Sequence, residues 1–200
     1  MNPPVTTRSR ILDAARQIFS ARGYGGATTR AIAAAAGVNE LTLFRTFQSK
    51  KNLFLEVIRT YSNLPAFQAD LAGRLNGDPA HDLQLIGGAF FGGLMQNREG
   101  ILLFLKEADQ FPEVMQASAF VPQAQREMLA GYMEGQMQAG RMRRMNPQLA
   151  AQAYLGMFFA YVLSLNWMPE LAPGEINQAE IVQAFTSIFL DGMRVTHESN

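Results

Sequence analysis

Leu41, Thr42 and Arg45 lie in one short run, ELTLFRTF at residues 40–47, with a hydroxyl pair at Thr28 and Thr29 before it and a basic pair at Lys50 and Lys51 after it. A guanidinium offers a planar fork of donors that fits guanine O6 and N7, and a leucine or threonine methyl fits a thymine methyl. Hydroxyls, ammonium groups and the open N–H groups at a helix start hold phosphate oxygens, which positions a protein without reading sequence. These residue types suit recognition rather than bond making. No Ser-His-Asp order, glycine-rich phosphate loop or paired carboxylates accompany them. The chain has no cysteine, and its two histidines, His81 and His197, lie far apart without ligand-rich neighbours. An enzyme is not expected, and no catalytic residue, metal or cofactor is assigned.

Short helices joined tightly must position these groups. Ile11, Leu12, Ala15, Ile18 and Phe19 form one helical stripe, ended by the Gly23-Tyr24-Gly25-Gly26 turn. Thr28 or Thr29 caps a second helix through Ile32, Ala33 and Ala36, and Gly37 stops it, because glycine takes the left-handed conformation of a sharp helix end without steric cost. Asn39 caps a third helix ending near Phe47, and Ser49 a fourth containing Leu53, Phe54, Val57 and Ile58. At about 100° per residue, Leu43 and Phe47 share the inner face of the third helix, Leu41 and Arg45 fall opposite, and Thr42 and Phe44 flank them. The alanine-rich second helix allows close approach. Thr29, the start of that helix, Arg30 and Lys50 then meet phosphates while the outward face enters a major groove, the logic of a helix-turn-helix.

Charge agrees with an anionic partner at one end. The 200 residues sum to zero formal charge, yet residues 1–60 carry nine Lys and Arg against three Asp and Glu, a net +6, which leaves −6 on the rest. Apart from Met1, every methionine lies at or beyond Met95. A 48% hydrophobic chain of this length buries one or two cores, and disorder and disulfide scaffolds are excluded. The N-terminus has no apolar leader or cleavage site, so a cytoplasmic protein is expected.

The run ILDAARQIFSARGYGGATTRAIAAAAGV, followed by TLFRTFQSKKNLF, resembles the DNA-binding domain of the TetR family of transcriptional regulators from about residue 8 to 58. The Gly-Tyr turn, the threonine pair, the Ile-Ala spacing to Ala-Gly-Val and the Ser-Lys opening of the fourth helix stand in register. The resemblance implies an all-helical homodimer whose C-terminal domain binds a small molecule that alters DNA affinity. It implies phosphate contacts for Thr29 and Lys50, and base or nearby backbone contacts for Asn39, Leu41, Thr42 and Arg45. Leu41 stands where the family often has a small residue, Phe44 where tyrosine is common and Thr46 where histidine is frequent. Phe44 therefore stacks on sugar but cannot donate to a phosphate. Pro65 interrupts the segment that would extend the fourth helix.

The remainder also reads as helices, over about 80–97, 99–109, 113–139, 147–167 and 177–194. The expected fold is all-α: an N-terminal three-helix domain of the helix-turn-helix type over residues 1–52 and a ligand-binding and dimerisation bundle over 53–200, about nine helices in total. Met95, Phe104, Met115, Phe120, Met157, Phe158, Tyr161 and Trp167 have the types that line an apolar pocket, with Gln152, Tyr161 and Asn166 as polar anchors, and the same types equally suit a core. One recognition helix binds too little DNA, so two half-sites of an inverted repeat call for a two-fold dimer. Gly156, Phe159, Ala160 and Leu163 on one helix and Ile181, Phe185, Ile188 and Phe189 on the next form its expected face, unless they pack within one subunit. Residues 147–169 are uncharged and of membrane-spanning length, with Arg141, Arg143 and Arg144 before them. Gln148, Gln152, Ser164 and Asn166 interrupt that run, and a buried bundle helix gives the same pattern, so no membrane partner is expected. The sequence thus describes a repressor on double-stranded operator DNA, released by an apolar or amphipathic effector. An apolar-ligand carrier with a structural helix-turn-helix and a membrane-tethered interaction protein are the competing classes.

Overall fold

The computed structural model describes residues 6–61, 73–168, 170 and 177–195, without the side chains of residues 61, 103, 104 and 166. Pro65, His197 and the side chains of Phe104 and Asn166 therefore lie outside the described residues. The fold is all-α, with ten helices among the described residues. They are α1 (Thr7–Gly26), α2 (Thr29–Ala35), α3 (Glu40–Phe47), α4 (Lys50–Tyr61), α5 (Pro79–Gln96), α6 (Arg98–Lys106), α7 (Pro112–Ser118), α8 (Phe120–Gln138), α9 (Pro147–Trp167) and α10 (Gln178–Gly192).

The helix expected over 113–139 is two helices, α7 and α8, parted at Ala119. Pro122 supplies the reason: it has no N–H to offer the Ser118 carbonyl, and its ring crowds that carbonyl. Two compact units form, residues 1–63 with 98–121 and residues 64–97 with 122–200. A single cut after residue 52 does not describe this division, because α4 and the later segment carrying α6 and α7 belong with the first helices.

In the first unit, α1 packs on α2, α4 and α6. Its core joins Ile11, Ala15 and Phe19 of α1 to Ile32 and Ala33 of α2, Leu43 and Phe47 of α3, Leu53, Phe54 and Val57 of α4, and Val114 of α7. Local chemistry sets each boundary. Thr6 and Ser9 cap the start of α1 reciprocally. The Thr28 hydroxyl accepts the Ala31 N–H at 3.1 Å, so Thr28 rather than Thr29 is the cap of α2. Gly37, at φ 66°, ends that helix, with Gly37 N–H donating to Ala34 and Val38 N–H to Ala33. Ser49 accepts the Asn52 N–H at 3.0 Å and caps α4.

In the second unit, α5 packs against α9 and α10. Tyr154 and Phe158 of α9 are fully buried beside Leu83, Ile86 and Phe91 of α5. The Tyr154 hydroxyl lies 2.6 Å from the Leu83 carbonyl, to which it donates, and 2.7 Å from the Thr186 hydroxyl, while burial raises its pKa. Asp82, also fully buried, accepts from the Asn76 and Gly77 N–H groups, from His81 Nδ1 and from the Tyr132 hydroxyl, all at 2.8–3.1 Å. Asn146 caps α9, followed by Pro147 in its first turn, and Asn177 caps α10.

Candidate nucleic-acid interface

α2 and α3 form the turn on which the candidate DNA-binding groups sit. Leu43 and Phe47 are buried at 0% and 4% exposure, whereas Leu41 and Phe44 are exposed at 58% and 41% and Arg45 is exposed beside them. The outer face of α3 therefore carries two large apolar groups that its own fold leaves uncovered, together with a guanidinium one turn from Leu41. Phe44 belongs to that face and not to the core.

The polar members are partly engaged with one another. Asn39 Oδ1 accepts both the backbone N–H and the hydroxyl of Thr42, each at 2.7 Å, which fixes the start of α3 and leaves the Asn39 amide nitrogen as the donor end. The Thr29 hydroxyl donates to the Glu40 carboxylate, tying the first turn of α2 to the first turn of α3. Arg30 is exposed in the first turn of α2. Thr29, Arg30, Asn39, Leu41, Thr42, Phe44 and Arg45 thus share one helix-turn-helix.

Lys50 departs from the simple surface role. Its ammonium donates to the Tyr24 carbonyl at 2.8 Å and the Ala27 carbonyl at 3.0 Å, and it stands 4.4 Å from the centre of the Tyr24 ring. Burial lowers its pKa, and the Glu107 carboxylate acts in the opposite direction. Two of its three donors serve carbonyls, which leaves one further N–H on the ammonium.

Two bracing residues escaped the sequence reading. Arg8 bonds Glu56 of α4 at 2.6 Å and lies over the Phe47 ring at 4.7 Å, so the start of α1 holds the end of α3. Glu107 accepts the Tyr24 and Gly25 N–H groups in the last turn of α1, just past the break at Gly23. Their partners are 48 and 83 residues away, and no local pattern signals such pairs.

Among the described residues, the candidate effector side chains do not converge on one cavity. Phe158 is core, its ring meeting Phe91, Tyr154 and Phe185 at centroid distances of 5.3–5.7 Å. Tyr161 is half-buried against Phe91 and Phe185, and Met157 is half-buried beside it on α9. Met95, Gln152 and Trp167 are exposed. In the first unit, Phe120 lies under the Arg59 guanidinium at 5.3 Å. Met115 lines an open hollow of about 590 Å³ with Ala108, Pro112, Glu113 and Gln116.

The dimer candidates divide. Ile181 is buried within the chain, and Phe185 and Phe189 rest on Tyr161 and Tyr154. Ile188 is 64% exposed, Ala160 is exposed, Gly156 faces open space, and Phe159 and Leu163 are half-buried. Residues 147–165 are long and apolar enough to cross a membrane by length and composition, yet only about a third of that stretch is buried in the single chain.

Residues 11–57 match the family described as bacterial regulatory proteins, tetR family, and residues 83–192, more than half of the chain, match the C-terminal domain of AefR-like transcriptional repressors. The chain is 26% identical to the uncharacterised HTH-type transcriptional regulator YvkB of Bacillus subtilis, over 94% of this chain and 97% of that one. Its fold is similar to the transcriptional regulator FadR of Bacillus subtilis, solved in complex with stearoyl-CoA, with a TM-score of 0.71 and 17% identity over 92% of this chain and 98% of that one. It is also similar to the TetR-family regulator PfmR of Thermus thermophilus, with a TM-score of 0.66 and 21% identity over 91% and 97% of the two chains. These two likenesses show a shared fold.

Proposed function

We propose, because this chain belongs to the TetR family of bacterial regulatory proteins, that it is a cytoplasmic, homodimeric repressor that holds an inverted-repeat operator and releases it on binding an apolar or amphipathic small molecule. The observation that carries this reading is the outer face of α3, where Leu41, Phe44 and Arg45 are exposed on a helix whose inner residues are buried. Leu41 and Arg45 read base edges, Phe44 stacks on sugar, Thr42 and Asn39 contact bases or nearby backbone, and Thr29, Arg30 and the remaining donor of Lys50 hold phosphates. A carrier has no use for such a face.

A second copy of the chain is the occupant proposed for the uncovered side of α9 and α10. Gly156 and Ala160 permit close approach, and Ile188, Phe159 and Leu163 supply apolar area, so that α9 and α10 of two chains form a four-helix bundle. This occupant, rather than a membrane, accounts for an apolar helix that is only partly buried. The effector class follows from the aromatic and methionine content of the second unit, and FadR offers a relative in fold that binds an acyl-CoA. The full-length protein is tested by mobility shift on the DNA flanking its own coding region, with and without apolar and amphipathic candidates. A discrete shift that such a compound abolishes is expected, and failure to bind any of that DNA in preference to random duplex would overturn the reading.

A further inference from the structure

The turn that closes α1 is held from two sides by opposite charges. Glu107, just past the end of α6, accepts the Tyr24 N–H through Oε2 at 2.6 Å and the Gly25 N–H through Oε1 at 2.8 Å. From the other side, Lys50 of α4 takes the Tyr24 and Ala27 carbonyls at 2.8 and 3.0 Å. The peptide groups of one short turn thus find an anion for their N–H groups and a cation for their carbonyls, both partly withdrawn from water, where charge-assisted bonds are strongest.

The turn is shaped for the carboxylate. Gly23 stands at φ 70°, in the left-handed region, and a Cβ there would lie 2.5 Å from a Glu107 oxygen. A Cβ on Gly25 would lie 2.9 Å from the other oxygen and 3.0 Å from the Phe111 ring. The Tyr24 ring is packed edge-on against Phe54 and Phe111 at 5.2 and 5.0 Å, so the backbone between the two glycines has little room to drift. One residue beyond Ala27, Thr28 caps α2. The orientation of α2, and through the Thr29–Glu40 bond that of α3, begins at this turn.

Glu107 also has a particular place in the chain. Residues 98–121 belong to the first unit, while the stretches on either side, 64–97 and 122–200, belong to the second. The segment bearing Glu107 is therefore covalently tied at both ends to the effector half. We propose that Glu107 is a positioning residue for DNA binding: its grip on the Tyr24 and Gly25 N–H groups sets α2 and α3 for the operator. This rests on the DNA-binding reading above.

The test uses full-length protein and an operator enriched by the wild type from a random duplex pool. In Glu107→Gln one of the two oxygens becomes an NH₂ group facing an N–H. Operator affinity is expected to fall about tenfold, the loss of one charge-assisted hydrogen bond, with random-duplex affinity within about twofold. Amide exchange at Tyr24 and Gly25 is expected to accelerate by at least about tenfold, with the melting temperature held within a few degrees. Glu107→Ala leaves a gap the size of an acetate ion, large enough to admit a formate. Added formate, compared with chloride at equal ionic strength, should restore operator affinity to it and leave the wild type unchanged, which a merely structural loss would not allow. Asp109→Asn, a change to an exposed carboxylate two residues along the same segment, serves as the control. Wild-type operator affinity in Glu107→Gln, or faster exchange without loss of affinity, would overturn the inference alone. Equal losses on operator and random duplex would reduce Glu107 to fold support and overturn it as well. If the wild type enriches no sequence, the DNA-binding reading fails with it, and the exchange rates still show whether the grip exists.

Discussion

The Thr29 hydroxyl donates to the Glu40 carboxylate, so a negative charge sits in the first turn of α3, beside the residues proposed to hold phosphates. Glu40 fixes α3 against α2, and on the proposed DNA-binding reading it does so at an electrostatic cost. Glu40→Gln keeps an acceptor for Thr29 and removes the charge. It is expected to tighten binding to operator and random duplex alike by about 1 kcal/mol, roughly fivefold, at low salt and by less at high salt. Fluorescence anisotropy at two salt concentrations measures this, and unchanged affinity at low salt would place Glu40 away from the phosphates.

Arg45 and Lys50 should respond differently. Arg45→Ala is expected to cost about 1–3 kcal/mol of operator affinity with little change on random duplex, because an exposed guanidinium on the outer face of α3 is placed for base edges. Lys50→Ala removes one proposed phosphate donor and two bonds to the turn at Tyr24 and Ala27. It should weaken all sequences, reduce the salt slope by about one unit and lower the melting temperature, a change Arg45→Ala does not share. Titrations at graded salt separate the two, and equal losses for Arg45→Ala on operator and random duplex would remove that residue from base reading.

Assembly can be separated from folding by two substitutions on one helix. Ile188 is 64% exposed, so Ile188→Glu leaves the subunit core intact and places a carboxylate in the proposed dimer face, where it cannot be buried cheaply. Sedimentation is expected to show a monomer at micromolar concentration, still cooperatively folded and with a melting temperature that no longer depends on protein concentration. Phe185 rests on Phe158 and Tyr161, and Phe185→Glu is expected to cost about 3 kcal/mol or more of stability. A wild type that sediments as a monomer yet binds operator fully would end the dimer proposal.

Asp82 predicts an acid limb of stability. Burial by itself pushes its carboxyl up, but the Asn76 N–H, His81, the Tyr132 hydroxyl and the Gly77 N–H outweigh that and hold it below the ordinary 3.8. A carboxyl lowered in the folded state contributes stability above its unfolded value, and that contribution is lost as pH falls through the folded one. Urea midpoints should therefore hold from neutral pH to about 4 and decline below it. Asp82→Asn, which replaces an acceptor with a donor facing N–H groups, should cost about 2–3 kcal/mol at pH 7 and flatten that decline. Parallel acid limbs for the two proteins would show that other carboxylates set it.

Local features were legible where local chemistry decides them. Gly37, Asn39, Ser49, Asn146 and Asn177 announced their helix ends, because a cap needs only its neighbours along the chain. The outer face of α3 followed from angular spacing alone. Lys50 did not, because an ammonium near a turn suits a phosphate or a carbonyl equally and only the placement of Tyr24 chooses. Ile181 and Ile188 share one helical stripe, yet the packing of α10 on α5 buries the first and exposes the second. Glu107 lies 83 residues from its partner and is an ordinary surface residue to any reading of pattern.

Val114, wholly buried in the core that α1 to α4 share, bears on how reading heads are exchanged between regulators of this fold. Transplanting only the first 61 residues onto another effector half would import a turn shaped around Glu107 and an aromatic patch, Tyr24 and Phe54, shaped around Phe111 and Val114, without any of those partners. The host's own residues would then have to fit by chance. The unit that carries the proposed DNA-reading face is discontinuous, and a chimaera that takes both stretches of chain is expected to keep the fold of that face better than one that takes the first alone.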